Sequence, residues 1–161
     1  MSVSIAEARW PADASAMAAL LREYASHAAA LGYDLTFQGF AAELAGLPGP
    51  YVRPHGLLLI ARSGAGAAGC AGYRPLAEGI CEMKRLYVRP GFRRQGIGER
   101  LCRELIGRAR ECGYRAMRLD TGAAMQSARR LYAALGFAAI PPYYETPYDT
   151  LCLELSLAGP V

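Results

Sequence analysis

Several protein classes are excluded by what this chain does not contain. No apolar run approaches the roughly 20 residues needed to cross a bilayer, so no membrane span is expected. The N-terminus shows no basic region followed by an apolar one, and no signal peptide is read there. CxxC pairs are missing. The five cysteines (Cys70, Cys81, Cys102, Cys112, Cys152) have no metal-ligand spacing. An odd number scattered through strand and helix patterns reads as reduced, buried thiols of a cytoplasmic protein. Histidine is scarce: His27 and His55 stand far apart, and no metal is expected. Without repeats, low-complexity runs or linkers, residues 1–161 read as one domain.

The charge is unevenly placed. The net charge is +4. From Lys84 to Arg130 there are 13 basic and 4 acidic residues, and the remainder holds 5 basic and 10 acidic. Anion binding therefore belongs in the middle of the chain. Solvated helix faces account for part of this, notably Arg100, Arg103, Arg108 and Arg110. Nucleic acid is disfavoured as a partner, because the charge is coupled to a glycine loop rather than spread along a helix interleaved with aromatics.

That loop is the most informative stretch. Strand-like Leu86-Tyr87-Val88 runs into Pro90-Gly91, then Arg93, Arg94, Gln95, Gly96, Ile97 and Gly98, and helical spacing follows (Ile97, Leu101, Leu105, Ile106). A helix start presents unpaired N–H groups and a positive dipole end to an anion. Gly96 and Gly98 allow the backbone close to it. The arginines add charge, and a pyrophosphate is the expected ligand.

Around this motif the pattern predicts a strand over 3–9, a helix over 11–30 with Pro11 in its first turn, and a helix over 38–47. Strands follow over 57–62, 67–73 and 80–88, with turns at 63–66 and at Glu78-Gly79. A helix over 97–112, a strand over 115–121, a helix over 124–135, and strands over 137–140 and 151–157 complete the chain. The expected class is mixed α/β: a largely antiparallel sheet of about six to seven strands flanked by about four helices, with a parallel pair where a helix intervenes.

A dinucleotide-binding fold also places a GxG between strand and helix, and Asp120 lies where a ribose-binding acid would fall. It is disfavoured because Leu101 occupies the third glycine position and three hairpin-like strands precede the loop. A P-loop fails because no Gly-Lys-Ser/Thr follows.

Arg93, Gly96 and Gly98 match a pattern of Gln or Arg, two residues, Gly, one residue, Gly or Ala. About 34 residues on, Ala128, Leu131, Tyr132, Gly136 and Phe137 match A-x-x-L-Y-x-x-x-G-F. On these two motifs the chain resembles the GNAT superfamily of N-acetyltransferases, from about Val3 to Leu157. The resemblance implies that the loop Arg93, Arg94, Gln95, Gly96, Ile97, Gly98 cradles the pyrophosphate of acetyl-CoA. It implies that the backbone of Leu86, Tyr87 and Val88 holds the pantetheine arm and supplies an N–H to the thioester oxygen. It further implies direct transfer to an amine without an acyl-enzyme. The Asn often found seven residues before the motif tyrosine is Met125 here, followed by Gln126 and Ser127.

The chemistry asks for two proton handlers. A lysine-like amine is protonated at pH 7, and neutralising it costs about 4–5 kcal/mol, so a base is useful. The resemblance places that base at Glu82, whose bland alternative is a solvent-facing strand residue paired with Arg118 or Lys84. Glu78 and Glu145 are further candidates. The leaving thiolate needs a donor, and Tyr132 is the expected general acid. Tyr24, Tyr33, Phe37, Tyr143, Tyr144 and Tyr148, with Glu145 and Asp149, suit the wall of a site for a small-molecule or peptide amine, and each aromatic equally suits packing against the sheet. A catalytically inactive CoA-binding module, a longer acyl donor and a homodimer are the alternatives the sequence leaves open.

Overall fold

A computed structural model describes residues 2–35, 39–64 and 66–158. In chain order the elements are β1 (Ser4–Glu7), α1 (Ala14–Ala30), α2 (Phe40–Ala45), β2 (Leu57–Ser63), β3 (Gly66–Ala77) and β4 (Ile80–Val88). A 3-10 turn (Pro90–Phe92) leads to α3 (Ile97–Glu111), β5 (Ala116–Gly122), α4 (Gln126–Ala134), β6 (Ala138–Ile140) and β7 (Thr150–Ser156). All seven strands join one sheet in the order β1-β2-β3-β4-β5-β7-β6. Every pairing is antiparallel except β4 with β5, across the α3 crossover. The mixed class, the strand number and the single parallel pair are as the sequence predicts.

The sheet is covered on both faces, which is why β2 reads LLLIA without alternation. Leu57, Leu59 and Ala61 enter one core with Ile97, Leu101, Cys102, Leu105 and Ala109 of α3. Leu58 and Ile60 enter the other with Met17, Leu20 and Leu21 of α1. Each fully buried Leu or Ile contributes about 1.5–3 kcal/mol. The small residues of β3 have a packing reason. A Cβ on Gly69 would stand 2.5 Å from the Tyr87 carbonyl oxygen, and one on Gly72 would stand 2.8 Å from Leu58 Cδ1.

Three boundaries differ from the sequence pattern. Pro11 lies in a turn ahead of α1, because the Asp13 carboxylate accepts the Arg9 backbone N–H at 2.7 Å and pairs with Arg62. Helix geometry begins only at Ala14. Strand β3 runs past Tyr73 to Ala77, since Arg74, Pro75 and Ala77 pair with Glu82, Cys81 and Ile80 across the Glu78-Gly79 turn. Helix α2 is shorter than expected; its anticipated start at Gln38 lies outside the described residues, as do Phe37 and the turn residue Ala65.

Candidate active site

The site begins where the sheet stops being continuous. Strands β4 and β5 pair at Ile80↔Ala116, Cys81↔Met117 and Glu82↔Arg118, and then part. Beyond that point β4 stays with β3, and β5 stays with β7 as far as Gly122↔Thr150. The facing edges of residues 83–88 and 119–122 are thus open to a third chain, since backbone groups need partners.

At the parting, β4 carries a bulge. Its register with β3 shifts between Cys70↔Tyr87 and Gly72↔Lys84, which leaves one extra residue on β4. Arg85 there has φ 65°, a left-handed conformation that costs about 1–2 kcal/mol for a side-chain-bearing residue. Its guanidinium is held on three sides. Nε and Nη2 donate to Glu43 of α2 at 2.8 and 2.9 Å, and the rings of Tyr24 and Phe40 lie 5.7 and 5.2 Å from Cζ. Burial alone would raise the Glu43 carboxyl pKa, but hydrogen bonds and charge from Arg85 overcome it and hold it below its ordinary value.

The loop after β4 takes the shape its residues predict. Gly96 has φ 75° and stands immediately before α3, so the turn requires a residue at ease in the left-handed region. Arg94 shares that region at φ 63°. Arg94, Gln95 and Gly96 are exposed, and Ile97 anchors the first turn in the core. Arg93 is folded back: its Nε donates to the Val88 carbonyl at 2.9 Å and its guanidinium lies 5.8 Å from the Tyr87 ring centroid. A Cβ on Gly98 would meet Leu131 at an ordinary 3.5 Å, so the protein's own packing does not demand glycine there.

Three cavities follow one another through the parting. A channel of about 440 Å³ lies against Leu86, Tyr87, Val88, Arg93 and Gly98 on one side and Met125, Gln126, Ser127, Ala128 and Leu131 on the other. It shares Tyr24, Leu86, Met125 and Ala128 with a joint of about 60 Å³, which is also lined by Lys84, Asp120 and Tyr132. The joint shares Lys84 and Arg85 with a chamber of about 290 Å³ bounded by Arg74, Glu82, Tyr143, Tyr144 and Glu145. Met125 therefore gives an apolar lining at the position of the frequent family Asn, and its neighbours Gln126 and Ser127 supply polar atoms to the channel.

Tyr132 reaches the joint from α4, packed edge-on against Phe137 at 5.8 Å. Among the described residues its hydroxyl has no hydrogen-bond partner. Burial raises its pKa well above 10, so it remains a proton donor. Glu82 is 3% exposed, not the solvent-facing residue of the bland reading. Its Oε1 accepts from Arg74 at 3.1 and 3.2 Å, and its Oε2 from the Tyr143 hydroxyl at 2.7 Å. Arg118 pairs instead with Glu154 at 2.8 Å. Lys84 Nζ lies 3.9 Å from Glu82 Oε1 and 4.0 Å from Asp120 Oδ1, bridging the parted strands. The Tyr144 hydroxyl donates to Asp120.

Other sequence candidates fall elsewhere. Glu78 sits exposed in the hairpin turn. Tyr33 and Tyr148 stack edge to face at 5.4 Å, and their hydroxyls accept the backbone N–H groups of Ala124 and Asp34, which is a structural use. Four cysteines are buried as expected, but Cys112 is exposed and its thiol donates to the Pro54 carbonyl. Burial pushes the thiols of Cys70, Cys81 and Cys102 up to about 12, which disfavours a nucleophilic role. Arg74, Lys84 and Asp120 are site residues that the sequence reading did not assign. The period-two alternation of β4 and β5, which puts Glu82 with Lys84 and Arg118 with Asp120 on one face, was the available signal.

Residues 16–137 match the model of the acetyltransferase (GNAT) family. The chain belongs to this family. It is 40% identical over 160 residues to an uncharacterized N-acetyltransferase of Schizosaccharomyces pombe, covering 96% of each chain. A GNAT-family acetyltransferase from Staphylococcus aureus Mu50 superposes with a TM-score of 0.81 at 19% identity, covering 97% of this chain and 99% of that one. PaiA N-acetyltransferase from Thermoplasma acidophilum, solved in complex with coenzyme A, superposes with a TM-score of 0.77 at 20% identity, again covering 97% and 99%. The GNAT chain described here is thus an acyltransferase that draws on acetyl-CoA.

Proposed function

We propose that this GNAT protein transfers an acetyl group directly from acetyl-CoA to a primary amine bound in the chamber beside Glu82. The observation that carries this reading is the succession of channel, joint and chamber along shared lining residues, with Tyr132 at the joint and Glu82 in the chamber wall. The loop N–H groups around Gly96 and the guanidinium of Arg94 bind the diphosphate. Gln95, Ile97 and Gly98 shape that cradle, and Arg93 braces it against Val88. The open edge of β4 at Leu86, Tyr87 and Val88 takes the pantetheine amides as a strand would.

The acceptor amine gives its proton to Glu82, whose carboxylate retains lone pairs beyond the contacts from Arg74 and Tyr143. Its nitrogen attacks the thioester carbonyl carbon, and a β4 backbone N–H near the bulge stabilises the oxygen. The C–S bond breaks, the thiolate takes a proton from Tyr132, and the second proton on the nitrogen passes to water, leaving a neutral amide. An acceptor screen with thiol release as readout tests this. Turnover on an amine that is lost in Glu82→Gln and Tyr132→Phe supports it. Tight acetyl-CoA binding with no turnover across a broad amine panel replaces it with a non-catalytic binding module.

A further inference from the structure

Lys84 is the only lysine of the chain; every other side chain of its charge is an arginine. It also stands where the transfer chemistry would take place. Its side chain lines both the joint, together with Tyr132, and the acceptor chamber, together with Glu82. Its side chain is 7% exposed, and its ammonium lies between two carboxylates, 3.9 Å from Glu82 and 4.0 Å from Asp120. A primary amine beside a base and next to the thioester position is the description of an acceptor. Lys84 meets it without leaving the chain.

We propose that Lys84 Nζ is acetylated by acetyl-CoA bound to the same molecule when no external amine fills the chamber. The inference rests on the reading that acetyl-CoA occupies the channel. The step balances without a further reactant. An ammonium proton passes to Glu82 or Asp120, and the neutral nitrogen attacks the carbonyl carbon. A C–N bond forms, the C–S bond breaks, and the thiolate takes the Tyr132 proton. The second N–H proton leaves to the neighbouring carboxylate or to water, giving a neutral amide and free coenzyme A thiol. Burial lowers the Lys84 pKa from its ordinary value, which enlarges the reactive neutral fraction near pH 7–8. Arginines cannot compete, because their guanidinium groups stay protonated.

The product has a physical consequence. The amide no longer neutralises Glu82 and Asp120, and its added bulk lies between joint and chamber. An acetylated chain is therefore closed to further acceptors.

The test incubates the purified full chain with acetyl-CoA alone and follows intact mass, peptide mapping and calorimetric binding in parallel. The expected result is a gain of one acetyl group mapped to Lys84. Its first-order rate should not depend on protein concentration and should exceed that of the urea-unfolded chain by on the order of tenfold or more. Lys84→Arg should bind acetyl-CoA and gain nothing at residue 84. Binding without modification of Lys84 overturns the proposal and leaves the transferase reading standing. A rate that rises with protein concentration, or that matches the unfolded chain, also overturns it. Absence of binding removes both readings.

Discussion

Arg85 and Glu43 form a two-pronged ion pair, at 2.8 and 2.9 Å, that ties helix α2 to the bulge of β4. The Arg85 side chain is 2% exposed and that of Glu43 11% exposed, so neither charge has a ready exit to water. Removing one partner takes the main counter-charge from the other. Glu43→Ala should destabilise the protein by about 3–5 kcal/mol, read as a lower urea midpoint. Glu43→Asp should recover part of the loss. Because Arg85 sits in a left-handed backbone, the same substitution should also lower kcat more than it raises KM for acetyl-CoA.

The pair carries a pH signature. The Glu43 carboxyl pKa is depressed in the folded protein relative to 4.5. A depressed acid contributes stability that is fully present above its unfolded pKa and is lost as pH falls through its folded pKa. Urea midpoints should therefore decline below about pH 5. Glu43→Gln should start lower at neutral pH and decline less steeply, because that contribution is already gone. Parallel curves for the two proteins would show that Glu43 is not a source of the acid sensitivity.

Tyr132 and Glu82 should separate by pH. Tyr132→Phe should lower kcat by about 10²–10⁴-fold while calorimetry shows nearly unchanged acetyl-CoA affinity. Near-normal turnover would remove Tyr132 from the mechanism. Glu82→Gln should lose most rate at neutral pH, where the acceptor is protonated. Its deficit should shrink as pH approaches the amine pKa, about 10 for an alkylamine.

Gly96 should be sensitive for a conformational reason. A Cβ there meets nothing within 4 Å, yet the φ of 75° remains. Gly96→Ala should raise KM for acetyl-CoA and cost about 1–2 kcal/mol of stability. Gly96→Asn should be milder, because asparagine tolerates the left-handed region. Equal effects from both would point to lost access for the diphosphate rather than backbone strain.

The glycine loop, the tyrosine motif and the order of elements along the chain were legible in the sequence because each depends on local spacing. Ile97, Leu101 and Leu105 announce α3, and Gly113 with φ 96° closes it. The chamber was harder to read. In the sequence Asp120 fell at a disfavoured ribose-binding position, and the parallel register of β4 with β5 is what brings it to Lys84 at the joint. Glu43 carried no signal, because its partner is 42 residues away. Arg74 and Pro75 looked like the end of a strand, since proline gives no ladder hydrogen bond. Pairing across the hairpin carries β3 on through them.

Three residue pairs are all that stitch β4 to β5. On the proposed function, the amides left over along the parting are a reserved docking rail for the incoming thioester arm. Resting robustness and donor affinity therefore compete for the same backbone groups. On that reading, extending the zipper by even one pair toward Gly122 would harden the resting fold and narrow the space left for the donor.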